Sequence, residues 1–109
     1  MDAYMVIEAE IHDRERFALY AEAVAPLVAE YGGEYLVLGG LHEPLEGDFA
    51  GRRLVISRWP SLEHARRFWY SERYAEIRKL REGTGRFRVI LLEGRGASGE
   101  PPAGSKGGR

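Results

Sequence analysis

At 109 residues, with 44% hydrophobic and 30% charged residues, the chain has the size and composition of one globular domain with a single core. It has no cysteine, which excludes a disulfide framework and any thiolate catalysis or metal binding. The formal charge of −1 is unevenly spread: residues 1–50 carry 11 acidic and 2 basic residues, and residues 51–109 carry 6 acidic and 14 basic, nets of −9 and +8.

In chain order, Tyr4–Ile11 predicts the first strand. Met5, Ile7, Ala9 and Ile11 make one apolar face, and Tyr4, Val6, Glu8 and Glu10 make the other. Asp13 is placed to cap a helix, with Glu15 favourable in its first turn. Phe17, Tyr20, Ala21, Val24, Leu27, Val28 and Tyr31 recur at spacings of three and four, drawing one apolar stripe. Pro26 removes a backbone donor inside that pattern and predicts a kink, and Gly32-Gly33 ends it.

Glu34–Leu41 and Arg53–Trp59 read as the second and third strands. Gly39-Gly40 inside the second predicts a bulge or a close backbone approach. Pro44, Gly47, Asp48 and Gly51 mark the connecting loop. Pro60 closes the third strand and Ser61 caps a helix with Leu62, Ala65, Phe68 and Trp69 on one face. Ser71 breaks and recaps it, Tyr74, Ile77 and Leu80 resume helical spacing, and Gly83 and Gly85 bracket its end. Phe87–Glu93 is the last strand. From Gly94 onward no apolar residue is larger than alanine or proline, so residues 1–94 form the expected domain and 95–109 a disordered tail.

The order βαββαβ predicts an α+β, ferredoxin-like fold: one antiparallel sheet with the helices on one face. The strands are apolar on both faces, yet the chain has too few elements to cover the second face itself. A second copy packed there about a two-fold axis, a homodimer through the open sheet face, is the expected solution.

The ordered chain resembles the domain-of-unknown-function 1330 family. The resemblance rests on Tyr4, His12-Asp13, Tyr20, Pro26, Gly32-Gly33, Gly39-Gly40, Leu45-Glu46-Gly47 and Pro60-Ser61, and continues through Ala65, Ser71, Tyr74, Arg81 and Glu93-Gly94. It implies membership of the dimeric α+β-barrel superfamily, whose members include quinone-forming monooxygenases, haem enzymes, lactone isomerases and ligand binders. The family pattern has arginine before the second glycine pair and often an acid two before the Pro-Ser. Leu38 and Arg58 stand there in this chain, and Arg58 is free to seek another carboxylate such as Glu8, Glu10 or Glu43.

No histidine has a metal-ligand spacing, and there is no phosphate loop or dinucleotide fingerprint, so neither metal nor cofactor is expected. His12 and His64 read as exposed residues near helix starts. His42, where the strand bends, reads as a surface residue or as a general acid or base suited to neutral pH. Glu8 reads as an ion-pair partner of an arginine such as Arg88, or as a partly buried base. Tyr4, Tyr20, Tyr35 and Trp69 are core aromatics or the walls of a cleft for a flat ligand, and Arg58 and Arg81 either make salt bridges or grip a carboxylate.

Three functions fit. The first is a homodimer binding a small aromatic or carboxylate-bearing metabolite through Tyr4, Tyr20, Tyr35, Arg58, Trp69 and Arg81. The second is a cofactor-independent monooxygenase or isomerase using Glu8 or His42 as base. The third is a structural or interaction module. The basic pairs Arg66-Arg67 and Arg78-Lys79 fall on helices without a nucleic-acid module, so no nucleic-acid partner is expected. With no signal-peptide pattern and no apolar run of about 20 residues, a cytoplasmic protein without a membrane partner is expected. Asparagine and glutamine are absent, and 14 of the 16 basic residues are arginine; GC-rich coding and growth at high temperature both produce that bias.

Overall fold

Strand β1 (Ala3–Ile11) lies between β3 (Arg53–Trp59) and β4 (Gly85–Glu93), and β2 (Glu34–Leu38) pairs with the outer side of β3. Every pairing is antiparallel, giving a four-stranded sheet of order β2-β3-β1-β4. This computed structural model describes residues 1–49 and 51–95. Of the expected 95–109 tail, all but Arg95 lies outside the described residues. Helix α1 (Arg14–Glu30) follows β1, and α2 (Leu62–Trp69), α3 (Glu72–Arg78) and a 3-10 turn (Lys79–Arg81) lie between β3 and β4. The architecture is the α+β, ferredoxin-like one.

The helices start where short polar side chains take up orphan backbone donors. Asp13 accepts from Arg16 N at 3.1 Å, Ser61 from His64 N at 3.1 Å and Ser71 from Tyr74 N at 3.1 Å. His64 owes its position to the same cap, its Nδ1 lying 2.8 Å from Ser61 Oγ. Pro26 sits within α1, which runs unbroken from Arg14 to Glu30. Gly32, at φ +92°, takes the left-handed turn that ends it.

The core lies between the helices and one face of the sheet. Ala3, Met5, Tyr20, Val24, Leu27, Val28, Trp59, Ala65, Phe68 and Tyr74 are buried together there. The α1 stripe legible in the sequence is the face that packs, with Phe17 and Tyr31 at its half-buried ends. Buried Ser57 is satisfied by the Trp59 indole N–H at 2.9 Å.

Two sequence expectations change in β2. The strand ends at Leu38 rather than Leu41: Gly39 still donates to Leu54 O of β3 at 2.7 Å, but it and Gly40 both take positive φ (+73° and +81°), which turns the chain out of extended conformation. Simple alternation puts Tyr35 and Leu38 on opposite faces. Instead the register passes from Tyr35↔Ser57 to Val37↔Ile56 and Leu38↔Val55, so Leu36 is the extra residue of a bulge. Tyr35 and Leu38 consequently share the helix side.

The other face carries Tyr4, Val6, Leu54, Ile56, Ile90 and Leu92, and no element of the described chain covers it. Ile90 is 56% exposed and Leu92 45%, where a packed sheet face would bury them.

Candidate functional site

Arg53 of β3, Ala9 of β1 and Phe87 of β4 stand in one row across the helix side of the sheet. The methyl of Ala9 leaves a gap between its larger neighbours. Above that gap α1 presents Ala21 and Ala25, which are too small to fill it. The result is a cavity of about 250 Å³ between α1 and the sheet. Phe17, Tyr20, Tyr35 and Phe87 are its aromatic walls, and Arg53 and Arg81 its charged groups. It opens past Ala9, Phe17, Ala21 and Arg53 into an outer cleft of about 490 Å³, where His42, Arg14 and Arg52 form part of the wall. At its inner side a void of about 20 Å³ reaches Trp69 and Tyr74.

Local structure fixes the polar groups. Arg81 ends the 3-10 turn, and its carbonyl accepts both Thr84 N (3.0 Å) and Thr84 Oγ1 (2.6 Å). Thr84 is buried, and its own carbonyl accepts His12 N and Asp13 N, tying this turn to the start of α1. The Arg81 guanidinium then lies 4.2 Å from the centre of the Phe87 ring and 5.4 Å from that of Tyr20. Arg53 Nη2 donates to Leu38 O at 3.3 Å, a link that exists because the bulge carries Leu38 to this side.

The Tyr20 and Tyr74 hydroxyls are hydrogen-bonded at 2.9 Å in the core. Burial, then proximity to Tyr74, pushes the Tyr20 phenol well above its ordinary range. Burial also raises Tyr35. Both phenols are neutral at physiological pH and do not repel an anion; the Tyr20 hydroxyl is already paired with Tyr74. No carboxylate or imidazole lines the cavity among the described residues.

The residues singled out from the sequence fall into separate places. Tyr20, Tyr35 and Arg81 line the cavity together. Trp69 borders the inner void, its ring 5.2 Å from that of Tyr74 and tilted by 38°, beneath Arg78. His42 is exposed and lines the outer cleft. Tyr4, Glu8 and Arg58 stand on the opposite, open face. There Arg58 pairs with Glu34 at 2.7 Å rather than with Glu8, Glu10 or Glu43. Glu8 has Arg52 at 3.7 Å and Arg88 at 3.8 Å, and its Oε1 is buried without a hydrogen bond.

Arg53 is the residue that sequence reasoning missed. Its signal is phase: it alternates in step with Val55, Ser57 and Trp59, so a strand in that register must turn it toward the helices. No group of three or more potential metal ligands, and no helix long and apolar enough to cross a membrane, occurs among the described residues.

The fold has solved counterparts. A protein of unknown function from Rhodopseudomonas palustris, RPA0582, superposes with a TM-score of 0.69 at 18% identity, covering 87% of this chain and 83% of that one. SnoaB, a cofactor-independent oxygenase from Streptomyces nogalater, superposes with a TM-score of 0.63 at 15% identity, covering 87% and 94%. A dimeric protein of unknown function and ferredoxin-like fold from Bacteroides fragilis gives 0.56 at 13% identity, covering 85% and 96%. At such identities the likeness is one of fold. No curated protein matches the sequence. The sequence itself matches a family model over residues 2–95, nearly all of the described chain, and the protein belongs to that family, the domain of unknown function DUF1330.

Proposed function

We propose that the protein is a homodimer that binds a small aromatic or carboxylate-bearing metabolite in the cavity between α1 and the sheet. The observation that carries this reading is the cavity's chemistry: apolar and aromatic walls, two neutral phenols and two guanidinium groups, with no acid among its described lining residues. Aromatic walls offer stacking area, and arginine offers a planar fork that matches a carboxylate. The uncovered apolar face on the far side supports the second copy. The dimeric B. fragilis protein of the same fold supports it too. In such a dimer Tyr4, Glu8 and Arg58 belong to the subunit interface, and the ligand sites lie outside it.

Native mass spectrometry of protein purified from its host tests the reading. The expected result is a dimer mass carrying a small molecule, with the molecule lost in Ala21→Trp, which fills the cavity from α1. A monomer with an empty cavity, unchanged by incubation with aromatic carboxylates, would overturn it.

A second reading is cofactor-independent oxygenation or isomerisation of an easily deprotonated substrate. It is supported by the fold shared with SnoaB and by His42 on the outer cleft. Since the cavity wall offers no carboxylate or imidazole, proton removal in this reading falls to His42, the imidazole on the wall of the outer cleft. His42→Ala then abolishes turnover while leaving binding and folding intact.

A further inference from the structure

We propose that the cavity accepts a planar aromatic ring bearing two anionic groups at opposite ends, one held by Arg53 and the other by Arg81. The proposal rests on the ligand-binding reading above and specifies the ligand's charge and shape.

Arg53, Ala9 and Phe87 are successive neighbours across three strands. With strands about 4.8 Å apart, the two outer backbones are roughly 10 Å apart, with only a methyl group between them. The Arg81 guanidinium sits over Phe87, at the β4 end of this row. Arg53 stands at the β3 end. The two cations therefore flank the Ala9 floor from opposite sides.

Both are unneutralised. Neither Arg53 nor Arg81 has a carboxylate within ion-pair distance among the described residues; several other arginines, such as Arg14 and Arg78, also lack one, but these two line the cavity. The half-buried Arg81 side chain makes ring contacts only, so none of its five N–H donors has a protein acceptor among the described residues. Arg53 has one, the long bond to Leu38 O. Arg53 is exposed, at the mouth of the cavity, and its remaining donors face solvent, whereas the half-buried Arg81 keeps its donors unused beside aromatic rings; a bound dianion would pair with both.

Shape restricts the ligand further. The floor is the methyl of Ala9, Phe17 and Phe87 stack on each other (centroids 5.8 Å apart, planes at 16°) as one aromatic wall, and Tyr20 and Tyr35 also line the space. Flat walls favour a flat ligand. The cavity volume of about 250 Å³ exceeds the ~150 Å³ that admits benzene, leaving room for a substituent at each end.

Calorimetric titration of the dimer with terephthalate, benzoate and terephthalamide tests the proposal. Terephthalate is expected to bind tightest, benzoate about 10- to 100-fold weaker and the neutral diamide weaker still. Arg53→Met and Arg81→Met should each abolish the preference for terephthalate over benzoate, and Arg81→Lys should restore part of it. Should these variants fold poorly, wild-type protein alone decides the matter: terephthalate affinity must fall as salt rises while diamide affinity does not. Equal affinity for dicarboxylate and diamide overturns the dianion assignment but leaves the cavity as a ligand site. No binding of any of the three, together with an empty cavity in the native mass spectrum, overturns both.

Discussion

Tyr20 and Tyr74 share a buried hydroxyl–hydroxyl hydrogen bond at the inner end of the cavity, and its energetics are asymmetric. Tyr20→Phe or Tyr74→Phe leaves the other hydroxyl buried and unpaired, at about 1–3 kcal/mol. The double variant removes both groups, so its loss in urea unfolding should be clearly smaller than the sum of the two single losses. The same residue sets the alkaline limit. The folded-state pKa of Tyr20 is raised above its ordinary value of 10.0, so above that pH the unfolded chain loses the proton first. Its contribution is therefore fully present below pH 10 and is lost as pH rises beyond it. Tyr20→Phe should flatten stability against pH in that range, as read by denaturation midpoints. Arg81 matters differently, because its backbone is fixed by Thr84 while its side chain remains available to a ligand.

Strand β2 shows how backbone irregularity builds the site. The bulge at Leu36 turns both Tyr35 and Leu38 toward α1, and the left-handed Gly39 then lets the chain pass close over Arg53. A Cβ at position 39 would meet the Arg53 side chain, with Cγ 2.9 Å away, in addition to the strain of φ +73°. Gly39→Ala should thus cost about 1 kcal/mol of stability and, by displacing Arg53, weaken ligand binding more than that figure suggests. Gly33 constrains the corner between α1 and β2 instead. A methyl there would lie 2.7 Å from Val28 Cγ1 and 2.8 Å from Trp59 Cη2, both in a packed core. Gly33→Ala should destabilise by roughly 1–3 kcal/mol in urea unfolding, with no specific effect on the cavity. The contrast separates a glycine needed for packing from one needed for the site.

The whole molecule is a sheet used on both faces. One face carries the core and the cavity, and the other presents Val6, Leu54, Ile56, Ile90 and Leu92 with Glu8 held between Arg52 and Arg88. A single aspartate placed centrally on that face would be buried without a partner in the proposed dimer. Ile56→Asp should therefore raise the dimer dissociation constant by roughly two orders of magnitude in sedimentation velocity. The helix-side cavity lies on the other side of the sheet, so the same variant should still bind its ligand. The opposite charges of the two sequence halves meet within one subunit in the Arg58–Glu34 and Arg73–Glu30 pairs, the latter lowering the Glu30 pKa through the Arg73 hydrogen bond.

The sequence by itself determined the order of elements, the caps at Asp13, Ser61 and Ser71, the packed stripe of α1 and the doubly apolar sheet. These are local properties: hydrophobic period, turn chemistry and capping act between residues a few positions apart. It also drew attention to Tyr20, Tyr35 and Arg81, since aromatic and arginine side chains advertise themselves. It did not separate them from Tyr4, Glu8 and Arg58, because which face a strand residue occupies depends on register with its neighbours. Only the tertiary structure decided that. One extra residue in β2 moved Leu38 across the sheet, and cross-strand register set Arg53, Ala9 and Phe87 in one row, the latter two more than thirty positions from Arg53 on either side in the chain. A cavity consists of what such distant residues leave unfilled, so the space between α1 and the sheet has no local signature in the chain.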